Sequence, residues 1–250
     1  MAVRRRVWTV VGVLFIIIGT LWLLGAINRA NRETSTGTFS GATEVVFEVG
    51  NGPVSFSSGG DEVVVASSVT TGFLGGDATV EQEGGTVSIR HDCPIFFGFG
   101  CEASFDITVP EGTTISGRTS NGAISLDSTE GPVDVTTSNG AVTLVDVSSP
   151  ATLTTSNGAI GGTGLSSESL EVHTSNGQIV LEFVEAPDEV QARSSNGAIE
   201  VILPQDAPPY SVTTSTSNGS VVTEVRTDPE AEGTIDVATS NGDIAIRYGD

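Results

Sequence analysis

From about residue 110 onward, apolar and polar positions alternate with a period of two in short runs, and the runs return in register around one triplet. That triplet, Ser-Asn-Gly, stands at 120–122, 138–140, 156–158, 175–177, 195–197, 217–219 and 240–242. Three residues after each Asn comes a β-branched apolar residue: Ile124, Val142, Ile160, Ile179, Ile199, Val221 and Ile244. Two further on come Leu126, Leu144, Gly162, Leu181, Val201, Thr223 and Ile246, on the same side of an extended strand. Upstream, the columns six and four residues before the Asn are also largely apolar, from Ile115 and Gly117 to Ile235 and Val237, and the residues between them are mostly polar. Each repeat is therefore two short, half-buried strands joined at a corner.

Two arrangements suit such a unit. In an antiparallel meander each Asn-Gly closes a two-residue hairpin. In a β-solenoid each repeat is one coil, and equivalent strands of successive coils pair in parallel. Hairpins need no identity between the columns of different repeats, but stacked coils set like columns above one another. The columns persist through all the copies while the other connection varies from "DVSSP" to "GTGLSSES". The pattern thus predicts an all-β chain with a single-domain parallel β-solenoid over 40–250, its Ser-Asn-Gly coils starting near residue 110.

A stacked corner gives the triplet a physical role. Gly takes positive φ cheaply and Asn tolerates the left-handed region, so the pair turns the chain sharply. Asn121, Asn139, Asn157, Asn176, Asn196, Asn218 and Asn241 are expected to point inward and form a structural ladder, amide to amide, at about 4.8 Å spacing. The Thr two residues earlier, Ser194 in one coil, has the same parity and is expected to line the same corner. The functional alternative is a row of carbohydrate or metal contacts. Asn218-Gly219-Ser220 is the one formal N-glycosylation acceptor, which an inward Asn would not serve.

Residues 38–110 carry weaker forms of the pattern, with Asn51-Gly52 as a degenerate corner. "CPIFFGFGC" then interrupts it. Two cysteines this close outside the cell are expected to pair, Cys93 with Cys101, and closing about nine residues constrains the unfolded chain by about 2 to 3 kcal/mol. The loop reads either as an apolar plug over an end of the solenoid or as an exposed contact loop presenting Phe96, Phe97 and Phe99 to a lipid or partner.

The N-terminus has a different pattern. Residues 7–27 run without a charge, and at about 1.5 Å per residue they match a bilayer's hydrocarbon core, so a transmembrane α-helix is expected there. A cleaved signal peptide would have a shorter apolar core and a small-x-small site, for which "LLGAIN" is a poor match. Arg4, Arg5 and Arg6 outnumber Arg29 and Arg32 across the span, which puts residues 1–6 in the cytoplasm as a stub, 28–39 outside as a linker and the C-terminal domain outside the cell membrane. Membrane lipid is then the first expected partner.

Charge narrows the partners further. The chain has 31 acidic residues, 10 arginines and no lysine, for a net charge of −21. Five of the arginines precede the first acid, Glu33, so the rest of the chain sets five arginines against 31 acids, a balance of −26. Such a surface repels phosphate backbones and excludes nucleic acid as a partner. It predicts a halophilic protein, whose self-repulsion molar salt screens; an acidic extracellular protein from a high-GC organism is the alternative.

Catalytic patterns are sparse. His91 and His173 are the only histidines, and no nucleophile elbow, phosphate-binding loop, zinc-spaced set or dinucleotide fingerprint occurs. "GGTGLS" at 161–166 is like one calcium β-roll repeat but has Ser166 where a ligand Asp is needed. Asp134 and Glu171 fall in one outward column two coils apart, about 10 Å, with Thr152 between, a poor acid pair. No catalytic, cofactor-binding or metal-binding residue is expected.

"VPEGTTISGRTSNGAISL", followed by "TTSNGAVTL" and "TTSNGAI", closely resembles the "putative adhesin" family of prokaryotic surface proteins, a domain family of unknown function with a β-solenoid body. The resemblance covers about 40–250, is strongest from 109 onward, and implies a cell-surface or envelope protein acting through contacts with a surface glycan or protein. It carries over no ligand residue, and the Cys-bounded loop is outside its pattern. An envelope sensor regulating a membrane partner and a polysaccharide-cleaving β-helix enzyme are the alternative functions.

Overall fold

Alternating patterns with β-branched inward columns and Gly or Pro at the joints make all the named elements strands. The computed structural model describes residues 16, 18–20, 32–70, 77–92 and 101–249. Its strands form one sheet of 11 and one of 10, enclosing a single aliphatic core.

The middle of the chain follows the sequence columns. Strands β8 (Thr114–Asn121), β10 (Val133–Thr137), β12 (Ala151–Thr155), β14 (Ser169–Thr174) and β16 (Glu189–Asn196) lie side by side in one sheet. Their partners across each corner, β9 (Ile124–Asp127), β11 (Val142–Val145), β13 (Ile160–Leu165), β15 (Ile179–Phe183) and β17 (Ile199–Leu203), lie side by side in the other. All pair in parallel, and the register is the one the columns require, with Val133 opposite Ala151 and Val142 opposite Ile160. This is a solenoid-like stack of coils, and Ile115, Ile124, Leu126, Val142 and Leu153 are fully buried in it. Asn51 lies opposite Asn121, so the degenerate corner is a coil of the same stack, formed by β2 (Glu44–Asn51) and β3 (Val54–Ser58).

Gaps in the inward columns have local causes. Gly117 lies opposite Phe47, and a Cβ on it would come within 2.6 Å of that ring, so the large side chain of one coil fills the place left by the other. Gly162 makes room for Leu165, which reaches the core across a β-bulge where Gly164 has φ +67. "GGTGLS" is thus a bulge.

At both ends the stack departs from chain order. The last coil, β20 (Thr234–Asn241) and β21 (Ile244–Tyr248), lies between the coil at 189–203 and that of β18 (Ser211–Asn218) and β19 (Val221–Thr223). Successive coils therefore do not always pair. The inward residues explain the interchange: the sandwiched coil offers Ile235, Val237, Ile244 and Ile246, all buried, whereas the outer one offers Thr214 and Thr223 at equivalent columns. Sandwiching the polar coil would bury hydroxyls without partners and leave isoleucines in water. At the other end, β6 (Thr86–Asp92) and β7 (Glu102–Val109) form the outermost parallel coil, with the 44–58 coil between them and 114–127.

Beyond that coil three strands turn antiparallel. β4 (Glu62–Thr70) pairs with β7, β1 (Arg32–Ser40) with β4, and β5 (Asp77–Glu83) with β6. Residues 32–39, expected as linker, are thus part of a strand. The expected membrane span, 7–27, lies almost wholly outside the described residues. Among those, Thr20 Oγ1 donates to the Ile16 carbonyl at 2.9 Å in a short helical stretch, and no helix is long and apolar enough to cross a membrane.

Candidate functional site

The repeated corner is the most regular surface of the molecule, and it is built differently from the sequence expectation. The asparagines face outward and are exposed, not inward. The inward position belongs to the hydroxyl two residues earlier: Thr119, Thr137, Thr155, Thr174, Ser194 and Thr239 are buried. Thr137 Oγ1 donates to the Gly122 carbonyl, Thr155 to Gly140 and Thr174 to Gly158, each at 2.9 Å. Ser194 and Thr239 do the same to Gly177 and Gly197 at 3.0 Å. The strand's parity sets the hydroxyl inward with the residues two and four before it, as Thr137 follows Val133 and Val135, and the corner then breaks the alternation, so the Asn two residues later points out.

The ladder exists on the outside. Asn139 Nδ2 donates to Asn121 Oδ1 at 2.8 Å, Asn157 to Asn139 at 2.9 Å, Asn176 to Asn157 and Asn196 to Asn176 at 3.0 Å. It continues through Asn241, which donates to Asn196 at 2.9 Å, to Asn218, which donates to Asn241 at 2.8 Å, and begins at Asn51, the acceptor for Asn121 at 2.7 Å. Every donation points toward the same end of the stack. The glycines are needed for space, not for positive φ: a Cβ on Gly140 would come 1.8 Å from the Gly122 carbonyl oxygen, and on Gly158 1.8 Å from that of Gly140. No corner Asn has positive φ, and of the corner glycines only Gly52 does. Hydroxyl, amide and missing Cβ thus serve one tight backbone stack, and the amides are used within it. Asn218 is exposed on the outermost coil, so burial does not bar a sugar there.

Other sequence candidates are scattered. Cys101 is buried and disulfide-bonded; Cys93, the chain's only other cysteine, and Phe96, Phe97 and Phe99 lie outside the described residues. His91 is fully buried, with Nε2 3.7 Å from Cys101 Sγ, and burial lowers its pKa below the ordinary 6.5. His173 is exposed in the outward column of Thr154 and Arg193. Asp134 and Glu171 stand in one outward column with Thr152 between them. Among the described residues no three His, Cys, Asp or Glu side chains gather as a metal site.

Three features escaped the sequence. First, Arg118 pairs with Glu48, Arg193 with Asp236 at 2.6 Å and Arg247 with Glu200 at 2.8 Å, each across a junction between coils that are not successive in the chain. The Arg118 hydrogen bond and charge hold the Glu48 carboxyl below its usual range. Second, several segments converge at the capped end. Arg32 is opposite Thr70, Thr70 opposite Glu102, and Asp77 opposite Asp92. Arg32, Thr70 and Glu102 thus stand side by side at the ends of three strands of one sheet, and Asp77 and Asp92 at the ends of two strands of the other. Third, the far end is open: β18 and β19 are the last strands of their sheets. None of these is visible without knowing which coils touch.

A family model, Toastrack DUF4097, matches residues 32–247, and the chain belongs to that family. Among solved structures, a "putative adhesin" from Bacteroides fragilis superposes with a TM-score of 0.52 at 14% identity, covering 87% of this chain and 97% of the other. A "putative cell adhesion protein" from Clostridium sporogenes gives 0.41 at 10% identity, covering 87% and 100%. A "putative lipid binding protein" from Parabacteroides distasonis gives 0.46 at 14% identity, covering 88% and 97%. At these identities the likeness is one of fold. No curated protein matches the sequence significantly.

Proposed function

We propose that this Toastrack chain is a single-pass membrane-anchored cell-surface protein whose β-solenoid domain projects from the membrane and acts by contacts, not catalysis. The observation that carries this is where the chain comes in. β1 follows the apolar 7–27 segment at one end of the 11-stranded sheet, and β19 is the last strand at the other, so the domain reaches roughly 48 Å from its attachment at about 4.8 Å per strand. A rigid column held at one end suits presentation of a surface, as does the description of the Bacteroides fragilis relative as an adhesin. Its acidity makes it soluble and turns away nucleic acid, leaving a surface glycan or protein as partner. No bound cofactor enters this reading.

The test is protease shaving of intact cells together with deletion of the gene. The C-terminal domain should be cut from outside while the N-terminal fragment stays in washed membranes, and deletion should reduce cell attachment or aggregation. A domain untouched on intact cells overturns the topology. Release of reducing sugars from envelope polysaccharide by the purified chain would overturn the non-catalytic reading.

A further inference from the structure

The two ends of the stack are finished differently. The end where the chain comes in is closed by antiparallel strands carrying charge, Arg32 and Glu33 on β1 and Asp77, Glu81 and Glu83 on β5. Charges on edge strands block further pairing. At the far end the two edge strands have none: "SVTTSTSN" and "VVT" contain no charged residue, in a chain of net charge −21, and charge resumes only in the connection beyond them, from Glu224. Neither strand contains Pro, and no bulge interrupts either pairing. Val221 and Val222 are 43% and 46% exposed there. Between the two strands the core opens as a cavity of about 510 Å³, lined by Tyr210, Val212, Thr214, Thr223 and Val225.

We propose that the 211–223 coil is a self-association surface through which two copies of this chain meet end to end. A two-fold axis across the stack sets β18 antiparallel to its mate and β19 antiparallel to its own, which supplies the backbone partners both edges lack. Charge selects the occupant. A basic partner is drawn to the acidic flanks and finds no charge to pair with on the two edge strands. Two copies of a domain with balance −26 repel wherever their flanks meet, but pairing of these edge strands sets no charge of either strand against its mate. The contact is small, with edge strands of 8 and 3 residues, so it falls below the roughly 1,200 Å² of a standard stable interface. Pairing is weak for single molecules and strong for many copies held on facing surfaces. This last step rests on the proposed surface role; the pairing itself does not.

The experiment is sedimentation velocity on the detergent-solubilised full chain over a wide concentration range in molar KCl. The wild type should move reversibly from monomer to dimer and no further. Ser215→Glu with Val222→Glu, both at exposed positions, should remain monomeric at every concentration, while Val184→Glu, at a still more exposed valine away from the tip, should behave as wild type. A wild type that stays monomeric, open-ended growth beyond the dimer, or a dimer that survives the double variant overturns the proposal. Dimers that form from a chain absent from washed membranes would sink the anchor reading and leave the pairing intact.

Discussion

Arg193 and Asp236 are 43 residues apart in the chain and 2.6 Å apart in the fold, and their ion pair joins the 189–203 coil to the last coil of the sequence. Arg247 and Glu200 repeat the arrangement in the other sheet. Stacking the 211–223 coil there would set Thr213 and Ser215 beside Arg193, and would bring Glu224, level with Arg247, toward Glu200. The pairs thus favour one coil order over the other. Both are partly exposed, so each contributes only about 0.3 to 0.5 kcal/mol after screening.

Arg193→Asp should loosen the last coil, and adding Asp236→Arg should restore it. The measurement is amide hydrogen exchange: protection should fall in 234–248 and 211–223 with little change in 133–174. Restoration no better than the single change would mean that the pair does not select the order.

Thr155 and Asn157 allow the two bonds of one corner to be separated. Thr155 is buried and donates to Gly140, so Thr155→Val should cost about 1 to 2 kcal/mol. Asn157 donates to Asn139 and accepts from Asn176 on the exposed side, where water competes, so Asn157→Ala should cost about 0.5 to 1 kcal/mol. Thermal melts that rank them the other way would put the corner's stability in the ladder.

Gly140 and Gly161 lie in neighbouring coils and should respond differently to alanine. A Cβ at 140 would overlap a backbone oxygen that cannot rotate away, whereas at 161 nothing lies within 4 Å. Gly140→Ala should cost about 3 kcal/mol or more, and Gly161→Ala should stay within about 0.5 kcal/mol. Equal melting temperatures for the two would refute the close-approach explanation.

His91 predicts the pH response. Its folded pKa lies below 6.5 because burial disfavours the imidazolium, so the unfolded chain binds the proton first. Stability should be constant above the unfolded value and fall as pH drops through and below 6.5. Glu48 and Asp243, whose pKa values are also lowered, add their losses only below the ordinary carboxylate values of 4.5 and 3.8. A melting temperature flat from pH 7 to 5 would contradict the first step. At the alkaline end, Tyr210 is buried, donates to the Pro187 carbonyl at 2.9 Å and has its pKa pushed up to about 12, so its contribution should fade as pH rises from 10 toward 12.

Salt should stabilise the domain. From Glu33 on, the chain sets 31 acids against five arginines, so screening removes more repulsion than it costs in ion pairs. The melting temperature should rise between low and molar KCl; a flat profile would contradict the halophilic reading.

The columns of the sequence determined the strands, their parallel register and the core positions of the middle coils. A period of two and a fixed repeat leave few ways to bury Ile124, Val142 and Ile160 together. They also marked Thr155, Gly140 and Asn157 as parts of one corner. They could not say which way Asn157 points, because a corner residue breaks the alternation that assigns faces. Nor could they order the end coils, since copies of one repeat are interchangeable by column. Only the tertiary structure decided that order, where two threonines facing the core sent one coil outward, and isoleucines with two arginine pairs drew the other in. The uncharged, unpaired edge strands within 211–223 follow from that choice, so the surface proposed for contact is a product of the fold.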